Sequence, residues 1–400
     1  MKILLTTDSY THMTNGVAIV VATLANAYRE KGHDVRVLTI SGDRKAHQDG
    51  MVYYMPSFEV PLYPDLRMSL VHRHPYIKEV RNWAPDVVHI HSEASTARIG
   101  KAIAKAVGAP VVMTWHTDYA KYAFHKHHSL GVVKMVSKRL MAIMYYRSNI
   151  ITVPSYKAKS ILDGYGLKHP NTVIPNGIML ERFYQDITPE EKKTLLRQHG
   201  IGEDKKLLVV ISRLSAEKSI SELIEYLPAL VEKDPQILLM IAGSGPDEKH
   251  LHNLTEKLGM EEHITFVGFV KPEETYRYYK LGIAFLSAST FEMHSLTYLE
   301  AMACGLPLIC RNDPSLQGVL TDGFNGYIYN TQDEFTEKVF RLTQDIALRN
   351  EMAKNSLQRS MEFSEDALAD RMLAVYQNVR DEYDKTTTKR GKKSKRKNKS

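Results

Sequence analysis

The stretch IAFLSASTFEMHSLTYLEAMACGLPLI, residues 283–309, decides the fold. Its apolar start, Ile283 to Leu286, has the length of a buried strand, and residues 296–304 read as a helix that Gly305 and Pro307 stop. The junction at the head of that helix presents unpaired backbone N–H groups and the positive end of a helix dipole, a natural cradle for a phosphate. Two carboxylates flank it, Glu292 in the loop and Glu300 inside the helix. Carboxylates repel an anion but accept hydrogen bonds from hydroxyl groups, so the implied ligand joins phosphate to sugar. Taken alone, the pair reads more simply as a solvated loop residue and a helix-surface charge. The rest of the chain has to choose.

Working outward, residues 207–211, 237–241, 264–267 and 308–310 read as further strands around this unit. An earlier series, 3–6, 35–40, 87–90, 111–115 and 150–153, alternates with helical stretches such as 18–29 and 94–106. Such alternation predicts an α/β protein with two doubly wound sheets, each covered on both faces. Ligands then belong at the carboxyl ends of the strands, where the segments around Gly16, His116, Arg213, Gly243 and Glu292 all fall. The boundary is expected near residue 180, between the turn Pro175-Asn-Gly177 and an acidic helix starting about Pro189. That divides the chain into domains at 1–180 and 181–363, followed by a terminal helix at 364–384. Residues 385–400 contain no apolar side chain to anchor them, which predicts disorder.

Two further segments carry chemistry. In VISRLSAEKSI, residues 210–220, a hydrophobic strand ends in Arg213 and Lys218 follows at a helix start. Fixed positive charge there suits a diphosphate leaving group, although a surface salt-bridge pair is the simpler reading of two cations alone. In LMIAGSGP, residues 239–246, Gly243 and Gly245 follow a strand and would let backbone approach a ligand closely, without the full dinucleotide-binding spacing.

Length and composition narrow the classes. Four hundred residues with 43% hydrophobic content suffice for two cores. Cys304 and Cys310 form no metal-ligand pattern, which predicts a reducing cytoplasm. The opening apolar run is only Ile3-Leu4-Leu5, and no stretch is apolar for eighteen residues, so neither a signal peptide nor a membrane span is expected. The net charge of +7 hides a segregation: residues 1–180 carry 22 Lys and Arg against 12 acids, residues 181–384 carry 22 against 34, and the last sixteen carry 9 and none. A basic surface of this kind meets nucleic acid or anionic lipid. No helix-turn-helix, zinc-finger or RNP sequence is present, which favours lipid.

Together, in this order, the segments resemble the retaining glycosyltransferases of the GT-B fold, family 4, over nearly the whole chain to about Tyr383. The resemblance includes MKILLTTD (residues 1–8) with Thr14-Asn-Gly16, APDVVHIHS (84–92), WHTDY (115–119) and VIPNGI (173–178). Within the family, LTYLE (296–300) and LSAEKSI (214–220) look most like diacylglycerol glucosyltransferases. The resemblance implies two Rossmann-like domains facing a central cleft, the first toward acceptor and membrane and the second binding the nucleotide sugar, with the terminal helix crossing back. It implies transfer of a hexose, glucose or galactose, from a UDP-sugar to a lipid such as 1,2-diacylglycerol, without a metal.

In that frame Arg213 and Lys218 hold the diphosphate, assisted by backbone N–H groups of Ser295, Leu296 and Thr297, with Gly16 and Gly243 also on the donor. Glu300 meets the ribose and Glu292 the transferred sugar; His116 lies against donor and acceptor, and Asp118 orients or deprotonates the acceptor hydroxyl. The chain departs from the commonest pattern at Met293-His294-Ser295, where a small residue and glycine are usual, which leaves the donor sugar open. His125, His127 and His128 read as a basic surface rather than a metal site. Residues 131–147 read equally as a core helix or as an interfacial helix with Lys134, Lys138 and Arg139 on its basic edge. Residues 55–67, apolar and aromatic without periodicity, read as a loop lining an acceptor groove. Competing functions are transfer to a second-sugar glycolipid, a polyisoprenoid-linked or soluble acceptor, and, outside enzymes, a nucleic-acid-associated protein using its basic tail.

Overall fold

A computed structural model describes residues 1–10, 15–60, 63–93, 95–116, 139, 142, 145–166 and 169–397. Asp118, Lys134, Lys138 and the cluster His125, His127 and His128 lie outside the described residues. The chain forms two units, Met1–Asn176 with Glu365–Ser400, and Gly177–Ser364. It passes from the first unit to the second between Asn176 and Gly177.

The first unit contains strands β1 (Lys2–Thr6), β2 (Asp34–Ile40), β3 (His47–Asp49), β4 (Val52–Met55), β5 (Phe58–Val60), β6 (Tyr63–Met68), β7 (Val87–Ile90), β8 (Val111–Thr114), β9 (Ile150–Val153) and β10 (Asn171–Val173). Eight of them form one sheet in the order β10-β9-β8-β7-β1-β2-β4-β3, parallel except for β3. Ile3, Leu4 and Leu5 of β1 have no exposed surface, as a strand covered on both faces requires. Helices α1 (Gly16–Glu30), α2 (Pro75–Trp83), α3 (Ser95–Val107) and α4 (Tyr156–Gly164) supply the crossovers. Asn15 starts α1 by accepting a 3.0 Å bond from the Ala18 N–H.

Residues 55–67 are not the loop their aperiodic pattern suggests. β5 and β6 pair antiparallel as a separate two-stranded sheet, and Arg67 ties the pair together by donating to Ser57 Oγ and Glu59 Oε1, both at 2.8 Å. Strands of three and six residues are too short for alternation to declare itself.

The second unit opens with helices α5 (Leu180–Tyr184) and α6 (Pro189–Gln198). Its strands are β11 (Lys206–Ile211), β12 (Ile237–Ala242), β13 (Ile264–Gly268), β14 (Ala284–Ser287), β15 (Leu308–Arg311) and β16 (Gly326–Tyr329). They form a fully parallel sheet in the order β13-β12-β11-β14-β15-β16. Helices α7 (Ile220–Lys233), α8 (Glu248–Leu258), α9 (Thr275–Tyr279), α10 (Leu296–Ala303), α11 (Gln332–Gln344) and α12 (Ile346–Ser360) cover it. α7 shows the periodicity that drives this packing: Ile220, Leu223, Ile224, Leu227 and Leu230 share one buried face, each side chain contributing about 2 kcal/mol by leaving water.

The last helix, α13 (Glu365–Lys397), belongs to the first unit. Its Asp366 and Asp370 both pair with Lys31 at 2.9 Å, and Arg380 reaches Asp86 at 3.3 Å. The disorder expected from residue 385 onward is not what the backbone adopts, since α13 continues to Lys397. Extension of a helix already nucleated avoids the cost of a new nucleus, and no proline interrupts this segment. Among the described residues no helix is long and apolar enough to cross a membrane.

Candidate functional site

In the second unit β11 and β14 lie side by side, and the chain leaves them toward opposite edges of the sheet. This is a topological switch point, where the loops at the strand ends part and leave a crevice. Arg213 follows β11 and is exposed. Its loop is fastened to the next one: Ser212 N–H donates to Ala242 O at 3.1 Å, Leu214 N–H to Ser244 O at 3.0 Å, and Asp247 N–H to Leu214 O at 3.0 Å. Gly243 and Gly245 make this possible, because a Cβ would stand 1.8 Å from Ser212 O at the first and 2.1 Å from Leu214 O at the second. On the Cβ side of both glycines the close approach is made by the neighbouring backbone. Gly243 shapes the loop that carries Arg213.

Lys218 ends a short 3₁₀ turn, Ala216–Lys218, and Ser219 follows in the left-handed region at φ +52°. For a non-glycine residue that costs roughly 1–2 kcal/mol. The turn is tied to the loop after β14, since Ser289 Oγ donates to Glu217 O at 3.3 Å and Lys218 Nζ donates to Glu292 Oε1. The side chains of Lys218 and Glu292 retain 26% and 15% exposure, so Glu292 is not a solvated loop residue. Ile211, Ser212, Lys218, Ser287, Glu292 and Thr297 line one recess between the two strand ends.

α10 starts from the same loop. Ser295 stands at its N-cap without a side-chain capping bond, and its Oγ lies 3.0 Å from Thr297 Oγ1 instead. The first turn at Ser295, Leu296 and Thr297 thus keeps backbone N–H groups that the cap side chain does not cover. Glu300, one turn on, accepts a 2.9 Å hydrogen bond from the buried Tyr279 hydroxyl. Burial raises its pKa above the ordinary glutamate value, and the Tyr279 bond partly opposes that rise. Tyr279 escaped the sequence reading, in which nothing marks one tyrosine of the run Tyr276 to Tyr279 as special.

The first unit has its own switch point, between β1 and β7. After β1, Asp8 accepts from the Ser95 and Thr96 N–H groups at 3.0 and 2.9 Å and so caps α3. After β7 comes His91, buried, and after the adjacent β8 comes His116, half-buried, with His91 Nδ1 and His116 Nε2 3.0 Å apart. His89, two residues before His91, packs on it with ring centroids 3.9 Å apart. Burial drives the pKa of His116 down to about 4 and those of His89 and His91 well below the usual histidine value, so all three are neutral at pH 7. Gly16 opens α1 at an exposed position, and Arg139 is exposed. The sequence reading missed His89 and His91 as site residues, although His-Ile-His at a strand end puts two imidazoles on one face.

Residues 14–182 match the family described as "Glycosyltransferase Family 4", and residues 191–359 the one described as "Glycosyl transferases group 1". The chain is 30% identical to an alpha-monoglucosyldiacylglycerol synthase of Acholeplasma laidlawii, over 98% of this chain and 100% of that one. It is also 30% identical to the enzyme of that name from Streptococcus pneumoniae, over 82% of this chain and 75% of its relative. Its fold is similar to that of Anabaena HepE, solved in complex with UDP and glucose, with a TM-score of 0.73 at 18% identity, covering 94% and 100% of the two chains.

Proposed function

Because the chain belongs to the family 4 glycosyltransferases and has their GT-B fold, we propose that it transfers a hexose, glucose in the first instance, from a UDP-sugar to 1,2-diacylglycerol with retention of configuration. The product is an alpha-glycosyl glycolipid. The observation that carries this reading is the meeting of Lys218, Glu292 and the open first turn of α10 at the switch point of the second sheet. The synthases of two bacteria at 30% identity support the lipid acceptor.

The chemistry follows from what the side chains offer. Breaking the bond between the sugar C1 and the β-phosphate oxygen puts negative charge on the diphosphate, which Arg213, Lys218 and the N–H groups of Ser295, Leu296 and Thr297 neutralise. The acceptor oxygen bonds to C1 from the face the diphosphate leaves, and its proton passes to the departing phosphate oxygen. Glu292 accepts hydrogen bonds from the sugar hydroxyls, Glu300 from the ribose, and His116 stands by the transferred sugar as a neutral imidazole. The enzyme works on the inner face of the cell membrane, held to anionic lipid by basic segments such as residues 385–400, each cation near the surface contributing about 1 kcal/mol.

The test is incubation of the purified protein with radiolabelled UDP-glucose or UDP-galactose and vesicles with or without diacylglycerol, with and without anionic lipid. Label in an alpha-glycosyl diacylglycerol is the expected outcome. Label only in a soluble acceptor, or a beta product, overturns the reading. Loss of vesicle binding in high salt, reduced by deleting residues 385–400, checks the membrane part.

A further inference from the structure

We propose that His91 is a positioning residue that sets the tautomer of His116: His91 donates its Nδ1–H to His116 Nε2, so that His116 carries its own proton on Nδ1 and presents a hydrogen-bond donor, not a basic lone pair, to the sugar beside it. The inference deepens the reading above and rests on it for the presence of that sugar.

Tyr28 donates its hydroxyl proton to Tyr376 on α13 at 3.1 Å. The single proton of Tyr376 then goes to its other partner, His89 Nδ1, 2.6 Å away. His89 therefore holds its proton on Nε2 and donates it to Thr114 Oγ1 at 2.6 Å. Thr114 passes its own proton to Thr152 Oγ1 at 2.6 Å, and Thr152 donates to Met113 O at 3.4 Å. Started at Tyr28, the row gives every donor an acceptor; run the other way, it would leave the Tyr28 proton without one. The row immobilises the His89 ring on which His91 is packed.

His91 is 2% exposed, and its Nε2 has no hydrogen-bond partner among the described residues. Two neutral arrangements of the pair at 3.0 Å are possible. If His116 donated, the His91 proton would sit on Nε2 as a buried N–H with no acceptor, a costly and uncommon defect. If His91 donates, Nε2 is a bare lone pair, and an unfilled acceptor is the lesser defect. The second arrangement forces the remaining His116 proton onto Nδ1.

Nitrogen-15 spectra of histidine-labelled protein read the tautomer directly, the His116 signals being identified by their loss in His116→Gln. The parent should show neutral His116 with Nδ1–H at pH 7. His91→Phe should convert it to the Nε2–H form that free imidazole prefers and lower kcat about tenfold with KM little changed, the size expected for one misdirected hydrogen bond. His91→Asn, whose amide can still donate to His116 Nε2, should restore both the tautomer and kcat. An Nε2–H signal in the parent overturns the proposal, and so does an unchanged His116 tautomer in His91→Phe. Should that variant fail to fold, the parent spectrum decides by itself. A parent with the Nδ1–H form but no sugar transfer supports the tautomer and removes the glycosyltransferase reading instead.

Discussion

The switch point between β1 and β7 and the one between β11 and β14 share a geometry: two adjacent parallel strands whose connections leave in opposite directions. Their contents differ. In the first unit the polar groups are short or aromatic, buried and mostly spent on one another, as in the row from Tyr28 through His89 to Thr152 and the Asp8 cap on α3. In the second unit Lys218 and Glu292 form an ion pair at partial exposure, and the N-cap of α10 lacks its side-chain bond. One topology therefore serves two tasks. A neutral site whose groups mostly bond one another holds its rings in place, whereas charges at a crevice can exchange each other for a ligand's phosphate and hydroxyl groups.

The largest expected effect tests the charged site. Arg213→Ala or Lys218→Ala should lower transfer roughly a hundredfold or more, mainly in kcat, because the loss falls on charge that develops in the transition state. Near-normal turnover in purified protein would remove both residues from the leaving-group role. The neutral site should respond in stability instead. Tyr376→Phe leaves the Tyr28 hydroxyl and His89 Nδ1 without their partner and should cost about 2 kcal/mol, read from urea midpoints, with UDP affinity unchanged. A drop in UDP affinity would mean that the two sites are not separable.

Within the second unit, Glu300→Gln should weaken UDP binding roughly tenfold, while Glu292→Gln should leave UDP binding nearly intact and damage turnover and sugar selectivity. Equal losses in calorimetry would end that division of labour.

The finest contrast, read as a difference in slope between variants, is one of opposite sign with pH. His89, His91 and His116 have folded pKa values below the unfolded one, so the unfolded chain binds more protons and stability falls as the pH drops below about 6.5, by up to about 1.4 kcal/mol per unit for each group. For His116 the fall ends near its folded value of about 4. Glu300, raised above the ordinary value, binds its proton more tightly when folded, so its contribution is present in acid and is lost as the pH rises from 4.5 through the folded pKa. Urea midpoints across pH 4–7 should show a shallower acid loss in His116→Gln and a steeper one in Glu300→Gln. Identical slopes in both variants would contradict the contrast.

Most of the strands that make the two sheets were legible because each is a local apolar run bounded by turn residues, as at residues 207–211 and 283–286. The pair β5 and β6 was not, being too short for a pattern. The terminal helix beyond residue 385 was not either, because composition speaks of burial and not of a helix already under way. Gly243 was recognised as a residue of close approach, and on its Cβ side the backbone of Ser212, thirty-one positions earlier, makes one that no local pattern names.

By itself the sequence determined the alternation of strand and helix, the doubly covered sheets and the segments after the strand ends in which Arg213, Lys218, Glu292 and His116 had to fall. These follow from hydrophobic periodicity and turn chemistry, which act over a few residues. Only the tertiary structure decided that Lys218 meets Glu292, 74 positions away, that Tyr279 holds Glu300, and that Tyr376 reaches His89 across 287 positions to orient the imidazoles behind His116. Pairing, desolvation and tautomer depend on which groups share a buried space, and folding brings those groups together from distant parts of the chain.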